Sequence, residues 1–199
     1  MAIKFNETRA YDGSVPVIWR GEAKVCPGGF KLLQTFPKGT LIKRGALLRI
    51  EYGTLEANVV KRAQVLPGGT TIAPFVTKNH YFQVGDIVMN VNGATGVAIT
   101  KIETKDKQHD VLTFDDDLST GANPGGQLVE ATAKTGATPK FVPNTVVGET
   151  TRPLDGDDQD TVSAVYEACM LHGHIIDVPG VWLTGLTLKE NPNIIFLKQ

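Results

Sequence analysis

Cysteine is nearly missing from this chain: Cys26 and Cys169 are the only two in 199 residues, and they lie far apart. Two cysteines cannot build a disulfide framework, so stability has to come from a packed core. An excess of one charge is also missing. Twenty Lys and Arg against 21 Asp and Glu leave a net charge of −1, and Lys43-Arg44 and Lys61-Arg62 stand as isolated basic pairs. Sequence-independent nucleic-acid binding needs a concentrated positive surface that displaces counterions, so nucleic acid is not an expected partner. No apolar run approaches the roughly 18 residues of a membrane span, and no membrane association is expected. The opening MAIKFNETR holds no apolar stretch long enough for a secretory signal, which predicts synthesis and folding in a cytoplasm.

Recognisable catalytic patterns are missing as well. There is no G-x-S-x-G, P-loop or G-x-G-x-x-G, and no histidine has a triad context. The expectation is a protein that is not an enzyme and needs no cofactor.

What the chain does have is punctuation. It carries 21 glycines and 11 prolines, and Gly28-Gly29, Gly68-Gly69 and Gly125-Gly126 separate short β-type runs. Leu48, Ile50 and Tyr52 share one face while Arg49 and Glu51 take the other, a two-residue period that predicts a half-buried strand. The following run, Thr54 to Leu66, reads as strand or short helix. A second block offers strands at Thr71–Val76, Asp86–Val91, Gly96–Glu103, Asp110–Phe114 and Gln127–Ala131. Turn chemistry lies between them, with Asn92-Gly93 read as a two-residue hairpin of positive φ. Val84-Gly85-Asp86 reads as an entry into a strand, with Gly85 supplying an unusual backbone angle and Asp86 serving the turn's amides.

Residues 132–145 read as a linker. Thr161 to Ile176 reads as a buried strand in preference to a helix, because Glu167 is the only charge between Thr161 and Leu171. Near the N-terminus, Val15 to Trp19 reads as an edge strand or extended arm because of Pro16. The apolar end Ile194-Ile195-Phe196-Leu197 should be docked on the fold or on another subunit. The predicted class is mainly β, small barrel or sandwich blocks with few or short helices. Residues 1–69 and 132–199 are expected to form one discontinuous unit around an inserted barrel-like block at 70–131.

Three clusters carry chemical interest. Cys169, His172 and His174 come near a metal-ligand spacing, but a cupin-like set lacks its glutamate and its later histidine, and zinc wants three or four protein ligands. Asp155, Asp157, Asp158 and Asp160 gather around Gly156 without the spacing of a calcium loop. Asp115-Asp116-Asp117 ends a strand. All three are read as structural, with no catalytic, cofactor or metal residue assigned.

The stretches FPKGTLIKRGALLRI (Phe36–Ile50), VLPGGTTIAPFVTKNHYFQVGDIVM (Val65–Met89) and TVSAVYEACMLHGHIIDVPG (Thr161–Gly180) resemble head-fibre and head-decoration proteins of tailed bacteriophages and prophages. The resemblance implies a virion structural protein on the outer face of the capsid. Its partner would be the major capsid protein, its form a homo-oligomer such as a trimer, and its origin the host bacterial cytoplasm. Block 70–131 would be an insertion that projects outward and binds a cell-surface glycan, or one that enlarges the core. Residues 1–20 and 191–199 are the expected contacts between subunits or with the shell. One alternative is a carbohydrate-binding adhesin on a β-sandwich, which would need Trp19 and Trp182 exposed. Another is a metal-dependent enzyme using Cys169, His172 and His174.

Overall fold

The structure, a computed structural model, describes residues 18–171 and 178–197. In chain order its strands are β1 (Trp19–Leu32), β2 (Leu47–Glu51), β3 (Glu56–Val59), β4 (Arg62–Leu66), β5 (Phe75–Val76), β6 (Ile87–Asn90) and β7 (Gly96–Glu103). They continue with β8 (Asp110–Phe114), β9 (Gln127–Glu130), β10 (Thr145–Val147), β11 (Thr161–Leu171), β12 (Leu183–Thr184), β13 (Thr187–Leu188) and β14 (Asn191–Leu197). Helical pieces are short 3-10 turns such as Ser119–Ala122 and Gly180–Trp182. The chain is mainly β. No helix among the described residues is long and apolar enough to cross a membrane.

Two closed arrangements organise these strands. An eight-stranded sheet runs β1-β3-β2-β10-β11-β14-β13-β12, and β1 also pairs antiparallel with β11. That extra pairing closes β1, β3, β2, β10 and β11 into a ring. Phe30, Leu32, Leu48, Ile50, Val59, Val147 and Val162 fill it. Strands β14, β13 and β12 extend from the far half of β11 as an outer flap. The second arrangement is the closed barrel β4-β5-β8-β7-β6-β9, filled by Val65, Val76, Val88, Ile99, Leu112 and Leu128.

The barrel and the sheet are not separate bodies. Met89 and Val129 of the barrel pack in one cluster with Leu47, Val146, Val165, Met170 and Phe196 of the sheet. This explains why β2 is buried on both faces: Leu48 points into the ring and Leu47 into the shared cluster.

The segment at 54–66 is two strands, β3 and β4, and the chain crosses from ring to barrel at Val60-Lys61. The barrel therefore takes its first strand from Arg62–Leu66, ahead of residue 70. Of the run expected as strand, Thr161–Leu171 is strand throughout and residues 172–176 lie outside the described residues; the expected strands at Gly96–Glu103 and Asp110–Phe114 have those bounds. Thr71–Val76 shrinks to Phe75–Val76, because Thr70 closes a turn: its N–H donates to Ala73 O (3.1 Å), and the Ala73 N–H donates to Thr70 Oγ1 (3.0 Å).

The Asn92-Gly93 hairpin reading is corrected. Met89 pairs with Gly96, so the connection is longer than two residues. The Gly93 N–H donates to Asn90 O at 2.8 Å, and neither Asn92 nor Gly93 has positive φ. Residues 132–145 are no free linker either. Ala137 is buried, and Phe141 and Val142 pack against the shared cluster.

Of the apolar end, Ile194 and Phe196 are fully buried in this chain's own core, where β14 lies parallel to β11. Those two side chains are docked on their own fold, while Pro192, Asn193 and Ile195 remain exposed. Ile18 and Trp19 are core residues too, Arg20 is exposed, and residues 1–17, with most of the Val15–Trp19 run, lie outside the described residues.

Gly85 behaves as its sequence context predicts. Its φ is +95°, and a Cβ there would meet nothing within 4 Å. An alanine would therefore cost only backbone strain, about 1–2 kcal/mol for a left-handed residue. Urea denaturation of Gly85→Ala should show that loss without altered spectra, and an unchanged midpoint would contradict it.

Candidate functional site

The polar chemistry of the fold concentrates where ring and barrel meet. Three charged residues at one level of the barrel converge there: Lys61 just before β4, Asp86 just before β6, and Glu130 at the end of β9. The barrel order places β9 between β4 and β6, so Glu130 stands between the other two. Lys61 Nζ lies 3.0 and 2.8 Å from the two Asp86 oxygens and 3.7 Å from Glu130 Oε1. The side chains of Lys61 and Glu130 are only 5% and 6% exposed. Glu130 Oε1 also accepts from Lys140 Nζ (2.6 Å), while Glu130 Oε2 is buried with no hydrogen-bond partner. Asp86 Oδ2 accepts the Gln83 N–H at 2.7 Å, which is the turn-closing role expected for it. The Phe36 ring stands 5.9 Å from Lys61 Nζ.

A second buried group lies on the other side of Arg62, whose N–H donates to His80 O at 3.2 Å. His80 Nε2 faces Asp110 Oδ2 at 3.4 Å, and Lys78 Nζ donates to Asp110 Oδ1 at 2.5 Å. An Asp–His pair invites a catalytic reading, but the other ring nitrogen is occupied. The Phe82 N–H donates to His80 Nδ1 at 3.0 Å, so Nδ1 is an acceptor and Nε2 carries the proton toward Asp110. With both nitrogens committed, this imidazole pins the 77–82 segment to the barrel and has no free base to offer.

Burial is the main cause that pulls the His80 pKa down, from 6.5 to about 4, against the opposing pull of Asp110. The folded protein thus holds His80 neutral over a range where the unfolded chain takes up a proton. Stability from this group is complete above pH 6.5 and is lost as pH falls toward 4. The loss should reach about 3 kcal/mol. Urea unfolding of wild type and His80→Gln between pH 7 and pH 4 checks this, with the wild type losing more stability over that interval. Parallel pH dependences would contradict it.

The clusters singled out in the sequence are turn-building groups where they are described. Asp160 accepts the N–H groups of Asp155 (3.1 Å) and Gly156 (3.2 Å), and Asp157 accepts that of Gln159 (2.9 Å). Asp115 pairs with Lys134 and accepts the Ala98 N–H, and Asp117 accepts that of Ser119. Cys169 sits on β11 between Arg20 and Ile195, while His172 and His174 lie outside the described residues. Among the described residues no group of three or more His, Cys, Asp and Glu side chains could hold a metal ion. Trp19 and Trp182 are 9% and 3% exposed, and the Arg44 guanidinium covers the Trp19 ring at 3.5 Å. Neither indole offers a face to a sugar, so the exposure that the carbohydrate-binding alternative needs of them is not met.

Among the accessible features of the described residues are a cleft and an edge. The cleft, about 420 Å³, opens where the edge of β11 passes from β10 to β14, and Tyr52 and Tyr166 line it. Its amides hold backbone: Asn144 bonds both N–H and C=O of Ile50, and Asn191 donates to Tyr166 O. The edge is β12, which pairs only with β13 among the described residues. Exposed Val181 and Leu186 flank it. The opposite margin, the first half of β1, carries Arg20, Glu22 and Lys24 and two of the strand's three register shifts against β11, features that discourage pairing with another chain.

Sequence reasoning passed over the buried charges. Lys61-Arg62 registered only as a basic pair, Asp86 only as a turn residue, and Glu130 and His80 not at all. The available signal was a charge inside the apolar run VVKRAQV, which a strand must either expose or pair. Comparison with protein families, with curated proteins and with solved structures returned no match.

Proposed function

We propose that this protein is a virion structural component, a head-fibre or head-decoration protein that binds the major capsid protein on the outer face of a tailed-bacteriophage head. It is made in the host bacterial cytoplasm and acts as a homo-oligomer, with a trimer suited to three-fold lattice points. The observation that carries this reading is how the molecule divides its chemistry. The charged groups at the ring–barrel junction are spent on holding strands together, whereas large apolar side chains stand outside at the flap edge, Val181 at 41% and Leu186 at 48% exposure. A stiff scaffold with an open, uncharged edge suits docking against other surfaces better than turnover. The resemblance of the 36–50, 65–89 and 161–180 stretches to head proteins points the same way.

The mechanism is mass action. A protein that binds the assembled shell and not its dissociated subunits stabilises the shell by RT ln(1 + [L]/Kd), about 2.7 kcal/mol at a hundredfold excess over Kd. Residues 1–17 and the β12 edge are the assigned contacts. Empty heads of the cognate phage should resist heat better with the protein added, and Leu186→Lys should weaken that protection. Identical disruption temperatures with and without saturating protein would refute the reading.

A further inference from the structure

We propose that Lys61 and Asp86 join in an intramolecular isopeptide bond, with Glu130 carrying the proton. The starting point is the oddity of the junction cluster as a mere ion pair. A buried pair recovers its desolvation cost only when every remaining lone pair and proton is satisfied. Here Glu130 Oε2 is buried without a partner, beside an ammonium that already faces both oxygens of Asp86. Condensation removes two charges from the interior and leaves a neutral amide. It also gives the unpartnered Glu130 Oε2 a task as proton carrier.

The reacting groups are in place. Lys61 Nζ is within 3.0 Å of both Asp86 oxygens, hydrogen-bond contacts that hold the amine beside the Asp86 carboxyl group. Rotation of the Asp86 carboxyl about its Cβ–Cγ bond turns the face of Cγ toward Nζ. The Lys61 ammonium passes one proton to an Asp86 oxygen, so that a neutral acid faces a neutral amine. Nζ then attacks Cγ, and Glu130, 3.7 Å from Nζ, takes a second proton. Glu130 returns that proton to the departing hydroxyl, the Cγ–O bond breaks, and water leaves. Ammonium plus carboxylate gives amide plus water, so atoms and charge balance with no outside reactant.

The strand order gives the bond a consequence. Lys61 and Asp86 lead into β4 and β6, the two neighbours of β9. An amide between them would lock that side of the barrel where it meets the ring, and the load between the two units would pass through a covalent bond.

The test is intact-mass spectrometry of the full-length protein, purified natively and then denatured. The expected mass is one water below that of the sequence, and a protease digest should yield a branched peptide joining Lys61 to Asp86. Lys61→Arg, Asp86→Ala and Glu130→Gln should each restore the full mass. A full-mass wild type with separate Lys61 and Asp86 peptides overturns the proposal, and this holds even if every variant misfolds. A branched peptide persisting in Glu130→Gln removes the role given to Glu130.

Discussion

Phe196→Ala should destabilise the protein by about 3–5 kcal/mol, the range for removing a buried aromatic ring. Phe196 is fully buried and opposite Met170 in the parallel pairing of β14 with β11, and its N–H donates to Leu186 O at 2.7 Å. It therefore ties the outer flap to the shared cluster that also holds Met89 and Val129 of the barrel. Because that cluster spans both arrangements, the loss should appear as one earlier cooperative transition in urea. A separate early transition confined to the flap would show that ring and barrel do not depend on β14.

Lys61→Met is expected to cost a similar amount, about 3–5 kcal/mol, because it strands a buried carboxylate without its cation. Asp86 would retain the Gln83 N–H, and Glu130 would retain Lys140. The expectation holds whether Lys61 meets Asp86 as an ion pair or as an amide, since either state neutralises both groups. Replacing all three of Lys61, Asp86 and Glu130 with apolar residues should recover much of the loss. Equal midpoints for Lys61→Met and wild type would show that the charges reach water.

The sequence showed the strands well where the pattern was local. Leu48, Ile50 and Arg49 alternate as β2 requires, and Gly85-Asp86 announces the entry to β6 through a backbone angle and a hydrogen bond that neighbours alone determine. Long-range pairing was less visible. Nothing in Trp19–Leu32 or Thr161–Leu171 states that the two strands pair over their length and close a ring, because that choice is made by side chains far apart in the chain. Asn92-Gly93 misled for the same reason: the turn's form follows from Met89 meeting Gly96, a pairing that the local residues do not determine. The junction cluster was hidden more deeply. Lys61, Asp86 and Glu130 each look like ordinary turn or surface charges, and only the β4–β9–β6 order brings them together.

Head binding is the central claim, and sedimentation tests it most directly. Purified protein mixed with empty heads assembled from the major capsid protein of the same genome should pellet with them and reach a fixed ratio to the shell subunits. Protein that stays in the supernatant at every concentration, while the heads pellet alone, would contradict the account.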